Sequence, residues 1–63
     1  MQFRVFVQLR YGMKIYYVNW TTRVPSTSSD KADAYKFSER ANAELVAKGF
    51  GKHFGKPSSI EQC

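Results

Sequence analysis

Residues 2–22 read QFRVFVQLRYGMKIYYVNWTT, and the alternation in this stretch decides the fold. Phe3, Val5, Val7, Leu9 and Tyr11 fall on one side, with Gln2, Arg4, Phe6, Gln8 and Arg10 on the other. A period of two in aromatic and β-branched residues is that of a half-buried strand. Gly12 interrupts it with the positive φ that tight hairpins need, and residues 13–22 resume a run of strand formers. The stretch therefore reads strand, turn, strand. A two-residue turn at Tyr11-Gly12 would pair Leu9 with Lys14, Val7 with Tyr16, Val5 with Val18 and Phe3 with Trp20. A four-residue turn keeps that parity, whereas a three-residue turn inverts the second strand. With even parity the expected core face is Phe3, Val5, Val7, Leu9, Tyr16, Val18 and Trp20. The opposite face then carries Arg4, Phe6, Gln8, Arg10, Met13, Ile15, Tyr17 and Asn19.

Downstream, residues 23–33 form a Ser/Thr-rich loop that begins at Arg23-Val24-Pro25 and offers little apolar surface. Ala34-Tyr35-Lys36-Phe37 reads as a short third strand. Ser38 is a good N-cap, Glu39 suits a first helical turn, and a helix is expected over 39–48 with Gly49 as its terminator. Trp20 is expected beneath that helix, near Leu45 and Val46, as the anchor of the core. The fold class is α+β: an antiparallel β-hairpin plus a short third strand packed on one α-helix, in the order β-β-β-α. Residues 1–50 make the single domain. Residues 51–63 read as a basic, partly flexible C-terminal tail.

A chain of 63 residues has a marginal core, and neither disulfide nor metal is available to reinforce it. Cys63 is the one cysteine and His53 the one histidine, so no internal bridge and no tetrahedral zinc site can be assembled. No nucleophile, base and orienting group recur in a catalytic arrangement. The expectation is a non-enzymatic protein without cofactor or metal. The lone thiol, the absence of a signal-like N-terminus and the lack of a long apolar run point to a cytoplasmic protein and not a membrane one.

The charge is +5 and unevenly placed. Residues 1–23 carry Arg4, Arg10, Lys14 and Arg23 and no acid, and residues 48–63 carry Lys48, Lys52 and Lys56 against Glu61 alone. Such asymmetry favours an anionic partner. The chain also holds ten aromatic residues, five Phe, four Tyr and one Trp, most of them in the expected strands. One helix covers one face of a sheet. The other face is therefore expected to present Phe6, Met13, Ile15 and Tyr17 beside Arg4 and Arg10, with Lys52 and Lys56 of the tail as further cations. These eight residues are the candidate partner-binding set. Their composition suits a protein interface, including a homodimer, and also a single-stranded nucleic-acid platform. Alternatively Phe6 and Tyr17 pack under the tail through Phe50 and Phe54.

The segment Asp30-Lys-Ala-Asp-Ala-Tyr-Lys-Phe-Ser-Glu-Arg-Ala-Asn-Ala-Glu44 resembles a recurring type of small protein encoded by bacteriophages and prophages. Those proteins join an aromatic-rich hairpin, a D-K-A…F-S segment and a helix. The resemblance implies a phage accessory protein in a bacterial cytoplasm. It would dock on and inhibit or remodel a host complex, as anti-CRISPR and other anti-defence proteins do. It implies no residue roles.

Overall fold

The computed structural model covers residues 1–63 and shows a four-stranded antiparallel sheet packed on one helix. The strands are β1 (Phe3–Gln8), β2 (Lys14–Asn19), β3 (Ser26–Ser28) and β4 (Ser58–Gln62), and the helix α1 is Arg40–Phe54. In space the sheet runs β3-β2-β1-β4, so the first strand lies inside it. The α+β reading holds, extended by a fourth strand that follows the helix.

The hairpin turn differs from the even-parity expectation. Arg10–Gly12 forms a single 3-10 turn, with Tyr11 at φ 62° and Gly12 at φ 75°. The Leu9 N–H donates to the Met13 carbonyl at 2.6 Å, leaving three residues between the closing pair. Phe6 then faces Tyr16, and Val7 faces Ile15. An odd loop turns β2 over. Ile15 and Tyr17 consequently pack on the helix side with Val5 and Val7, while Tyr16 joins Phe6 on the other side.

The helix-side core is built from Val5, Val7 and Phe50, all fully buried, together with Phe37, Ala43 and Ala47. Positions 43, 47, 50 and 54 recur at helical spacing and form the inward stripe. Small residues at 43 and 47 let the helix approach the sheet, and Phe50 then fills the space. Its ring meets Tyr17 edge-on at 5.7 Å and Phe54 at 5.1 Å. Trp20 is not the anchor that the sequence suggests. It lies past the end of β2, 37% exposed, with its ring against Gly49 and 5.7 Å from His53. Leu45, its expected neighbour, is on the solvent side at 73% exposure.

Three boundaries also move. The third strand is Ser26–Ser28 rather than 34–37, and the latter segment ties the hairpin's open end instead. Tyr35 N–H donates to the Tyr17 carbonyl, and Phe37 exchanges two backbone hydrogen bonds with Phe3. The helix runs through Gly49 and Gly51 to Phe54, and Gly55 closes it at φ 64°. There Gly55 N–H bonds the Lys52 carbonyl and Lys56 N–H bonds the Gly51 carbonyl, the Schellman pattern. Gly51 is required by the return of the chain: a Cβ there would stand 2.7 Å from the Lys56 carbonyl oxygen. Residues 51–63 are thus the last helical turn and β4, not a flexible tail. Ser58 fastens the return, its hydroxyl donating to the Ala47 carbonyl at 2.5 Å.

The burial pattern makes Phe50 the energetic centre. Phe50→Ala should cost about 3–5 kcal/mol, enough to unfold a domain of this size. Trp20→Ala should cost clearly less and leave a cooperative urea transition. A Phe50→Ala variant that keeps a cooperative urea transition as stable as that of Trp20→Ala would contradict this assignment.

Candidate functional site

The face away from the helix is not bare. Phe6, Tyr16 and Ala34 form a second buried cluster, with Phe6 and Tyr16 rings 5.7 Å apart. Ala34 is carried there by a 3-10 turn at Lys31–Asp33, whose start Asp30 caps by accepting from Ala32 N–H. Charged side chains cover the rest. Glu61 of β4 stands opposite Arg4 of β1 and accepts from Arg4 Nε at 2.6 Å, with Lys14 Nζ at 4.0 Å. Lys14 also lies over the Phe6 ring at 4.5 Å, and Arg4 over Tyr16 at 5.8 Å.

This geometry sets the ionisation of the group. The hydrogen bond from Arg4 holds the Glu61 carboxyl below the usual glutamate range, against the opposing effect of burial. Burial, then the facing Glu61 carboxylate, pushes the Tyr16 hydroxyl up. Arg4 and Phe6, expected on an open docking face, are therefore engaged within the fold. Ile15 and Tyr17 are corrected more strongly, since both point into the helix-side core. Lys52 is exposed on the last helical turn and does not line the hollow that gathers Arg10, Met13 and Lys56.

Arg10, Met13 and Lys56 do come together. With Leu9 and Tyr11 they line an open hollow of about 370 Å³ at the hairpin end of the sheet. Tyr11 is 98% exposed and Met13 56%, the largest such pair on one short segment. A non-glycine residue in the left-handed region is uncommon, and for a bulky one the strain is a cue to function. Tyr11 has both the strained backbone and the uncovered ring. On the other side of the same turn a second open hollow, of about 540 Å³, is lined by Gly12, Lys14, Tyr16, Ser29, Asp30 and Lys31. The turn is thus a ridge between two recesses, with Arg10 and Lys56 on one side and Lys14 and Lys31 on the other. Its one carboxylate, Asp30, is occupied in capping.

Tyr11 escapes the sequence reading because its place in the alternation puts it on the core face. The available signal is an aromatic immediately before the turn glycine. No group of three or more His, Cys, Asp or Glu side chains is placed to hold a metal ion, and no helix is long and apolar enough to cross a membrane. No family model, curated protein or solved structure matches the chain.

The Arg4–Glu61 pair generates a pH prediction. Because folding lowers the Glu61 pKa, its stabilisation is complete above the unfolded value of about 4.3 and is lost as pH falls through the lower folded value. Glu61→Gln should be less stable than the parent at neutral pH, and its urea midpoint should fall less on acidification. Parallel midpoint curves for the two proteins would contradict the pairing.

Proposed function

We propose that this chain is a non-enzymatic docking protein whose working surface is the hairpin end, with Tyr11 and Met13 as apolar anchors and Arg10 and Lys56 as the charged rim. One observation carries the reading: a tyrosine held in a strained backbone conformation with its whole ring in solvent. Folding gains nothing visible from that ring. Tyr, Met and Arg are the residues over-represented at protein interfaces, whereas lysines are commoner at the rim. The cationic surround, in which Asp30 is the single carboxylate, matches an acidic protein surface with an apolar recess for the ring. In the setting implied by the phage-protein resemblance, the target is a component of a bacterial host complex, which docking would inhibit or remodel.

The four cations around the ridge support a second reading, a single-stranded nucleic acid laid across it. It is weaker because stacking calls for successive rings, and only Tyr11 stands free at this end. The two readings part on salt: nucleic-acid affinity falls with a log–log slope near −0.7 per phosphate contact.

A photo-crosslinking residue at position 11 tests the proposal in bacterial lysate, with position 45, exposed on the helix, as control. The expected result is a protein adduct at position 11 that survives nuclease and is absent at position 45. An adduct that disappears with nuclease favours the second reading, and no adduct sinks both. Tyr11→Gly completes the test. It should leave stability unchanged or raise it by up to about 1 kcal/mol, because the left-handed strain is relieved. In a pull-down without crosslinking, the same change should abolish recovery of the partner that the adduct identifies.

A further inference from the structure

The two edges of the sheet are unequal. β3 is three residues long and irregular in its pairing between Tyr17 and Asn19. Short length and irregularity are devices that blunt an edge. β4, which like β3 follows directly on a proline, has five residues in regular register and no cation. Its register with β1, together with the Cys63 N–H bond to the Gln2 carbonyl, fixes its parity. Ser59, Glu61 and Cys63 direct their backbone groups toward β1, so those of Ser58, Ile60 and Gln62 point away from the sheet.

We propose that this free edge pairs with β4 of a second copy, antiparallel about a twofold axis at Ile60. The strand is self-complementary in that register alone: Ile60 opposes Ile60 of the second copy, and Ser58 opposes Gln62 of the second copy, so every outward-pointing residue has a partner. A slip of two residues leaves one of them out. The half-buried Ile60 side chains meet across the axis. On the other face Glu61 opposes a serine rather than a carboxylate, and its charge is already engaged by Arg4 at 2.6 Å. Elsewhere the surface of a +5 molecule repels its own kind, whereas β4 itself brings no cation to the pairing. Two such strands bury less than the roughly 1,200 Å² of a stable interface, so the association is weak and reversible. It is independent of the hairpin end, which lies outside the pairing.

Sedimentation equilibrium of the full chain, under reducing conditions that exclude a Cys63 disulfide, tests this from micromolar to millimolar concentration. The expected result is a monomer–dimer equilibrium. Its affinity should rise about tenfold between roughly 0.01 M and 0.15 M salt as repulsion between the copies is screened. Gln62→Pro removes an N–H that the monomer does not use, a substitution an edge strand tolerates. It should weaken dimerisation at least tenfold with the unfolding midpoint of the dilute protein unchanged. Should that variant fail to fold, amide exchange in the parent decides: Ile60 and Gln62 must exchange more slowly as concentration rises. A parent that stays monomeric at millimolar concentration overturns the proposal and leaves the edge to an extended segment of another protein. Dimerisation that weakens with salt, or leaves those two amides unaffected, overturns it as well.

Discussion

Leu9 N–H reaches the Met13 carbonyl at 2.6 Å, and that bond fixes the hairpin on an odd number of turn residues. Every later feature inherits the choice. Because strand side chains alternate, an odd turn sends Ile15 and Tyr17 to the helix and Tyr16 to the other face. Tyr17 can then serve as the aromatic hub, stacked on Phe37 at 5.8 Å and edge-on to Phe50. Its hydroxyl is pushed up by burial and by neighbouring Tyr35. The same choice puts Tyr16 beside Phe6, where Ala34 and the Arg4–Glu61 pair close over them. Its cost is borne at the apex, where Tyr11 must adopt a conformation glycine would hold more easily.

The sheet solves the problem of two faces with one helix by dividing the labour. One side is a conventional apolar core beneath α1. The other is a thin cover of a capped turn, two cations over aromatic rings and one carboxylate, with no buried side-chain polar atom left unpaired. A chain this small has too few apolar residues for two full cores. Charged side chains with long aliphatic stems are an economical lid, since their stems cover rings while their heads remain near water. The hairpin end is where neither cover extends.

The two long strands and the existence of the helix were legible because alternation and helical spacing are local patterns. Register was not legible from the turn: Tyr11-Gly12 fits a two-residue loop as well as the three-residue one that the Leu9–Met13 bond closes, and it is the odd one that brings Ile15 and Tyr17 onto the helix-side core. β4 was missed for a related reason. Ser58-Ser59-Ile60-Glu61-Gln62 contains one strong strand former, and its pairing with β1 is imposed by tertiary contact rather than propensity. Gly49 looked like a helix stop, yet the helix passes through it because Gly51 is needed two residues later for the approach of Lys56 and Ser58. At the site, charge and exposure placed Arg10, Met13 and Lys56 correctly as neighbours of solvent. Ile15 and Tyr17 went astray with the parity, whereas Arg4 and Phe6 stay on the expected face but are covered there by Ala34 and by Glu61 of the unforeseen β4.

The position of β1 inside the sheet has a kinetic consequence. It is the first of the four strands in sequence, and β4, one of its two neighbours, is the fourth, with Phe3 paired to Gln62. Nearly the full length of the chain must therefore emerge before the central strand is complete, and no early fragment contains a finished sheet. Such distant pairing slows folding relative to a helical chain of equal length. It also leaves Val5 and Val7 without their cover until the helix is in place. A circular permutant that joins residue 63 to residue 1 would turn β4 and β1 into a hairpin. Opened in the exposed Thr21–Val24 loop, that chain would keep the same contacts while making the central pairing a local event.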